Sequence, residues 1–384
     1  MDETLNLIID NGVVYTKAGY SVEEKPTIIF PTCLKRRRMK SYSSNNEEIF
    51  LVGQSALFST DYGFDKIKYP FEKDALNNWD EAEGIWNYIC RREFKNFYGQ
   101  CNLIITEPPL FHDCSDLKKQ REKIAEFFFE TFDIPKLYIA DQSILALYSS
   151  GKITGVSIDL GERESRITPI FEGYALEHAK KSIDVGGNDL TEYIQKCLIK
   201  NNDSYSKEIT KEVARKIKEE KCYIPEDLNK YYLKYDEFSF YQLPDGKNIT
   251  VRDEMIECPK ILFFPSIIEK SGERIVDKCI YSINKCDKDI WKDLFNSMVL
   301  SGGNSMYKGF PERFTDEIKK EVKEPMKNEI QIFASPERDI ATWLGGKVLS
   351  SNSNMESMWY TKEEYDDGYF RGSHDFNYLH RKCF

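Results

Sequence analysis

The sequence predicts an α/β protein of two domains, and three observations carry that prediction. The chain has 384 residues, more than a single hydrophobic core usually serves, so two domains are the natural division. Short strand-like runs give way to helix-like spacing twice, once in each half of the chain. Each half also contains an apolar strand that ends in a carboxylate and a glycine: Leu7-Ile8-Ile9-Asp10-Asn11-Gly12 in the first, Val156-Ser157-Ile158-Asp159-Leu160-Gly161 in the second. The expected domains are residues 1–149 plus 342–384 and residues 150–341. No low-complexity linker interrupts the chain, so the domains are expected to be tied by short crossings near residues 142–151 and 336–345.

Residues 5–30 alternate in short runs broken by Gly12, Gly19 and Pro26, which reads as two or three strands. A basic run, Lys35-Arg36-Arg37-Arg38-Met39-Lys40, leads into a polar loop at 38–48 and then a strand at Ile49-Phe50-Leu51-Val52. Helical spacing covers 78–98, through Trp79, Ile85, Trp86 and Ile89, and 116–132, through Ile124, Phe127, Phe128 and Phe132. Asn102 to Thr106 is a buried strand stopped by Pro108-Pro109, and Tyr138-Ile139-Ala140 is a strand running into a helix at 142–150. The pattern restarts over 152–180 and becomes helix-rich over 187–225. A polar meander then turns at Pro244-Asp245-Gly246. A helix at 286–298 is expected to lead to a strand at 298–300, and a helix at about 336–350 to precede a polar tail.

The two Asp-Gly hairpins carry a chemical reading. Glycine lets the backbone approach a bulky anion, and successive N–H groups at such turns make an anion-binding concavity. A carboxylate cannot touch phosphate directly, but it can hold a water-wrapped Mg²⁺ that does. A third signal, Val299-Leu300-Ser301-Gly302-Gly303-Asn304-Ser305-Met306, follows late in the chain. Each signal alone is an ordinary turn more often than a phosphate contact. The order and spacing of all three read as a clamp around the phosphates of a nucleotide.

Composition narrows the alternatives. With 41% hydrophobic and 31% charged residues the chain is expected to pack rather than stay disordered. A net charge of −10 argues against direct nucleic-acid binding. The basic run at 35–40 is short and reads as a solvated loop, or as a docking patch for an acidic partner. The acidic start, Met1-Asp2-Glu3-Thr4, lacks the basic and apolar regions of a signal peptide, and no apolar run approaches the roughly 20 residues of a membrane helix. Ten cysteines without a Cys-x-x-Cys pair, beside four histidines, point to free thiols in a cytosolic or nuclear compartment rather than a zinc site.

The chain resembles actin from end to end. Besides the hairpins and Ser301-Gly302-Gly303, it carries Ile67-Lys68-Tyr69-Pro70, Asn78-Trp79-Asp80, Glu130-Thr131-Phe132 and Phe171-Glu172-Gly173-Tyr174-Ala175-Leu176. Lys221-Cys222-Tyr223, Pro336-Glu337-Arg338, Trp343-Leu344-Gly345-Gly346 and the closing His380-Arg381-Lys382-Cys383-Phe384 also match. The resemblance implies an actin-like ATPase fold of two α/β domains (four subdomains), with Mg²⁺ and ATP or ADP in a cleft between them. Carried over by residue, Asp10, Gly12 and Lys17 match the first phosphate loop and Asp159 and Gly161 the second, Asp10 and Asp159 orienting the magnesium through water. Gln142 matches the glutamine that positions the attacking water, and Arg215, Lys218 and Glu219 match the purine and ribose contacts. The i, i+3, i+4 spacing of that trio fits one helix face. Glu162, Gly187, Gly302, Gly303, Met306 and Tyr307 complete the implied nucleotide contacts.

The departures from the family cluster at the phosphates. Val13 and Val14 follow Gly12 where the family usually has a hydroxyl residue and a glycine; β-branched residues resist positive φ and supply no hydroxyl. Glu162-Arg163 replaces Asp-Gly, Arg166 replaces the histidine beside the attacking water, and Asp339 replaces a lysine near the adenine. Arginine does not relay a proton, although it can stabilise phosphate charge. Local pairs such as Arg163–Glu164 or Arg166–Glu162 would compensate. At most a slow Mg-dependent ATPase is expected, with Gln142 and Arg166 as the catalytic candidates.

Assembly surfaces depart as well. The loop at 38–48 lacks an apolar tip, Ile267-Ile268-Glu269-Lys270-Ser271-Gly272 puts two charges on the hydrophobic plug, and an aromatic segment at 369–378 precedes the terminal pentapeptide. Of the outer target groove, Tyr148, Gly151, Thr154, Gly173, Leu344, Val348, Leu349 and Met358 match, with polar Asn352 in place of leucine. The resemblance therefore implies a divergent cytoskeletal actin in the cytoplasm, with actin, further copies of itself or actin-binding proteins as partners. The alternative is a structural subunit that holds ATP statically in a larger dynein-linked, ciliary or chromatin complex.

Overall fold

The computed structural model describes residues 5–37, 49–59, 64–71, 79–95, 97–107, 114–225, 238–270, 273–370 and 376–382. The loop at 38–48, Asn78, Pro108-Pro109, Ser271-Gly272, residues 371–375 and Cys383-Phe384 lie outside the described residues. Two units can be separated, Met1–Ser149 with Thr342–Phe384 and Ser150–Ala341.

In the first unit β1 (Asn6–Asn11) and β2 (Tyr15–Tyr20) form an antiparallel hairpin with Asp10 opposite Lys17. β3 (Ile28–Pro31) continues it, and β4 (Leu34–Arg37) pairs with β5 (Ile49–Val52) in a separate two-stranded sheet. On the other side of β1 lie β6 (Asn102–Thr106) and then β7 (Lys136–Ala140), both parallel to it. Leu7, Ile8, Ile9, Leu103, Ile104 and Ile105 are all fully buried, which is why these strands read as unbroken apolar runs. The helix Cys114–Phe132 makes the crossover between β6 and β7 that parallel strands require. Its Ile124, Phe128 and Phe132 are buried in one cluster with Trp86.

The second unit repeats the scheme. β8 (Gly155–Leu160) and β9 (Ser165–Phe171) form an antiparallel hairpin with Asp159 opposite Arg166. β10 (Tyr174–Ala175) and β11 (Lys181–Ile183) both pair with β9. β12 (Ser239–Gln242) and β13 (Asn248–Val251) are a hairpin of their own around Pro244-Asp245-Gly246. β14 (Met298–Ser301) and β15 (Ile332–Phe333) add to β8 in parallel. The sheet orders β2-β1-β6-β7 and β9-β8-β14-β15 are therefore equivalent. Asp10 and Asp159 are each the penultimate residue of the equivalent strand.

Two expected elements differ. The helix expected at 286–298 is a 3₁₀ turn, Lys288–Ile290, followed by the short helix Trp291–Phe295. The longer helix lies before it, Ile275–Asn284, with Ile275, Val276, Cys279 and Ile283 buried at helical spacing. The polar tail is also folded: helices Met355–Met358, Lys362–Phe370 and Asn377–Lys382 flank a short strand, Tyr360–Thr361, that pairs antiparallel with β7. Trp359, Tyr360, Tyr365 and Leu379 anchor it in the interior. Those apolar residues are too sparse among charged neighbours to show a helical period. Among the described residues no helix is long and apolar enough to cross a membrane.

Candidate functional site

The first unit gathers its predicted residues around one buried carboxylate. Asp10 is 3% exposed, and burying a carboxylate is costly unless cations and donors surround it. Lys17, its cross-strand neighbour, donates from Nζ to Asp10 Oδ2 at 2.8 Å. Thr106 Oγ1 donates to Asp10 Oδ1 at 3.3 Å. Gln142, the first residue of the helix Gln142–Tyr148, brings its side-chain amide 3.2 Å from the same oxygen and 3.2 Å from the Asn11 carbonyl. The end of β1 is pinned in turn. Asn11 N donates to Thr106 Oγ1 at 2.8 Å, and the buried Trp86 indole donates to Asn11 Oδ1 at 3.0 Å.

Beyond Gly12, Val13 and Val14 stay outside the left-handed region, so the backbone strain expected of two β-branched residues is absent. A hydroxyl does reach this turn from Thr32, whose Oγ1 donates to the Gly12 carbonyl at 2.8 Å.

The second unit gathers the remaining residues. Ser301 Oγ donates to Asp159 Oδ1 at 3.1 Å. Gly302 has φ +84°, and a Cβ there would lie 2.5 Å from the Leu160 carbonyl oxygen and 2.7 Å from Asp159 Oδ1, so only glycine fits. The turn after β8 is clasped by the first turn of the helix Gly187–Asn201: Gly187 N donates to the Gly161 carbonyl at 3.0 Å and Asn188 N to the Glu162 carbonyl at 2.8 Å. Asn304 Nδ2 donates to the Gly161 carbonyl at 2.6 Å.

Glu162 joins the turn to the expected purine and ribose trio. Arg215 Nη2 lies 3.3 Å from Glu162 Oε1, and Lys218 Nζ 3.9 Å from Glu162 Oε2. Lys218 Nζ also donates to the Gly187 carbonyl at 2.9 Å. A Cβ on Gly187 would meet Glu162 Oε2 at 2.4 Å, so that glycine makes room for the carboxylate. Along the helix Lys211–Lys221, Lys218 is buried, Arg215 half-buried and Glu219 exposed. Partial desolvation, opposed by Lys218 and Arg215, raises the Glu219 carboxyl above its ordinary value although the side chain still meets water. The sequence offered Glu162 as a local partner of Arg166. Here Glu162 is engaged by Arg215 and Lys218, and Arg166 Nε donates to Glu164 Oε1 at 2.5 Å.

Gly303 has open space around it and Met306 is 37% exposed, whereas Tyr307 is buried. The Tyr307 hydroxyl has no hydrogen-bond partner among the described residues, and burial holds its pKa well above the ordinary value. Asp339 is exposed, while the neighbouring Arg338 is buried with its guanidinium on the Ser305 and Ser335 carbonyls. Leu349, expected in an outer groove, is a core residue with Ile8 and Trp343, whereas Val348 is 47% exposed.

Thr106, Asn11, Trp86, Ser301 and Asn304 belong to these clusters and were not among the site residues expected from the sequence. Ser301 and Asn304 stand inside the glycine motif and Thr106 closes its strand, so position alone pointed to them. Nothing local points to Trp86.

Two α/β units with equivalent sheets, each carrying an aspartate at the same place before a turn, define a duplicated fold. The actin family model matches residues 1–384, and the chain belongs to the actin family.

Proposed function

We propose that this chain binds ATP or ADP with Mg²⁺ and serves as a divergent cytoskeletal protein with weakened hydrolysis and altered filament contacts. The observation that carries this reading is the repeated carboxylate at the turn: Asp10 with Lys17 and Gln142 in one unit, Asp159 with Ser301 and Gly302 in the other. The donor set fits the ligand. Each unit presents a carboxylate, Asp10 or Asp159, of the hard-oxygen kind that a hydrated Mg²⁺ takes through water, and the orphan Tyr307 hydroxyl is a buried polar group that a bound ligand or water would satisfy. Magnesium, when bound, shields the charge of the phosphates.

In this reading Lys17 reaches the phosphates while keeping Asp10 as its counter-ion, since an ammonium has three donors. Gln142 orients the attacking water, and Glu162, Gly187, Arg215, Lys218 and Glu219 take the ribose and purine. Gly12, Gly161, Gly302, Gly303, Met306 and Tyr307 line the nucleotide. Hydrolysis is slow because Arg166 cannot accept a proton. Partners are actin, other copies of the chain or actin-binding proteins, in a cytoplasmic cytoskeletal setting. The reading as a static structural subunit of a larger complex draws on Lys270, which is held back by Asp189 at 2.9 Å instead of projecting for a filament neighbour.

Isothermal titration of nucleotide-stripped protein with Mg-ATP tests the proposal. Saturable binding is expected, and no binding at millimolar ATP would overturn it.

A further inference from the structure

Arg166 stands directly across the β8–β9 pair from Asp159. Opposite residues in an antiparallel pair project to the same face, with Cβ atoms about 4.5–5.5 Å apart. The Arg166 side chain is 24% exposed and that of its partner Glu164 is 14% exposed, so the guanidinium is held rather than waving in solvent. Glu164 precedes the strand and takes the Nε edge. By register the Arg166 side chain leaves the hairpin on the Asp159 face, and its guanidinium charge is permanent. In the other unit, Asp10 has Lys17 at 2.8 Å. Each of the two turn carboxylates thus has a protein cation as its cross-strand neighbour.

We propose that Arg166 is a phosphate-binding residue that supplies at the polyphosphate part of the positive charge a divalent cation otherwise brings, so that this chain holds ATP or ADP with only a weak requirement for Mg²⁺. The inference rests on the nucleotide reading above. Two effects act in the same direction. A fixed cation on the same face of the hairpin as Asp159 opposes entry of a hydrated divalent cation, because like charges repel strongly in partly desolvated surroundings. The same guanidinium attracts phosphate oxygens, which suit its planar fork of donors. A neutral imidazole in this place would do neither. Glu164 offsets part of the charge but fixes the plane of the guanidinium, which lowers the entropy lost when phosphate is engaged.

The test measures the dissociation constant of a fluorescent ATP analogue in excess Mg²⁺ and in EDTA, for the full-length chain and two variants. For the natural chain the constant is expected to rise less than about tenfold on removing Mg²⁺, and for Arg166→Gln by about a hundredfold or more. Arg166→Lys keeps the charge and is expected to stay near the natural ratio, which a merely structural role for the arginine would not produce. A hundredfold Mg²⁺ requirement in the natural chain, or an unchanged ratio in Arg166→Gln, overturns the inference. Absence of binding in both conditions overturns the nucleotide reading itself. Circular dichroism melting checks that the variants fold; if Arg166→Gln does not, the ratio of the natural chain decides.

Discussion

Lys270 Nζ lies 2.9 Å from Asp189 Oδ1, which fastens the end of one surface loop to the first turn of the helix Gly187–Asn201. Asp184 adds a second carboxylate at 3.2 Å. The other oxygen of Asp189 accepts from Gly186 N at 3.0 Å, and the next two residues, Gly187 and Asn188, hold the carbonyls of Gly161 and Glu162. A continuous set of polar contacts therefore runs from the turn after β8 to the loop carrying Ile267, Ile268 and Glu269. Only one of the two charges expected at the loop tip stays exposed, Glu269, in a left-handed conformation at φ 59°.

Replacing Lys270 by methionine should loosen this loop. Partial burial lowers the Lys270 pKa, but Asp189 and Asp184 more than offset it, and the net direction is upward. A raised lysine pKa contributes stability that is complete below the unfolded value and is lost as pH rises through the folded one. The loop should therefore be insensitive to pH near neutrality and open in alkali. Hydrogen exchange over 264–270 should quicken about fivefold in Lys270→Met, as expected for losing a pair worth about 1 kcal/mol. Unchanged exchange would show that the pair does not hold the loop.

Long homopolymers should not form as they do for conventional actin. In the proposed reading exposed Glu269 takes the place of an apolar plug that would bury against a neighbour, and each such contact would repeat at every subunit. A penalty of about 1–2 kcal/mol per contact raises the critical concentration roughly 5- to 30-fold. Electron microscopy in Mg-ATP and salt checks this, and long regular two-stranded filaments at micromolar protein would contradict it.

Phosphate release should be slow and should accelerate when the family's residues are restored. In Arg163→Gly, Arg166→His the turn is freed and an imidazole is returned. A general acid–base group contributes on the order of 10²–10⁴ in rate when it acts in the transition state, so a gain of at least about tenfold is expected. A double variant no faster than the natural chain would clear both arginines of responsibility.

Acid should release the C-terminal helix before either unit unfolds. Lys382 Nζ donates to the Trp359 carbonyl and Glu364 Oε1 at 2.6 Å each, and to Glu364 Oε2 at 2.7 Å. Burial pushes the Glu364 carboxyl up, but Lys382 and the Thr361 N–H outweigh it and lower its pKa. A depressed carboxylate pKa contributes stability above the unfolded value, 4.5, that is lost as pH falls through the lower folded value. Lys382→Ala should cost the helix about 1–2 kcal/mol at neutral pH. Trp359 fluorescence against pH reads both effects; a titration identical in natural and variant chains would refute the assignment.

The hairpins, the glycine turns and the helix-rich stretch of the second unit were legible because each depends on residues close in sequence. Asp10 and Lys17, seven positions apart, belong to one hairpin, and Arg215, Lys218 and Glu219 share a helix by their spacing. The helix Ile275–Asn284 was missed although its buried residues follow the helical period, and the C-terminal segment was read as a tail because a few buried aromatics hold it against β7 and the helix Cys114–Phe132. Contacts of that kind, between residues more than two hundred positions apart, leave no periodic trace.

By itself, then, the sequence determined the α/β class, the family, the two Asp-Gly turns and which residue types stand at them, since these follow from backbone preference and short-range pattern. The tertiary structure alone decided which charges meet. It gave Glu162 to Arg215 and Lys218, Arg166 to Glu164, and Lys270 to Asp189. The physical reason is that a half-buried charge takes whichever opposite charge the packing of strands and helices brings within about 4 Å, and sequence distance does not enter that energy.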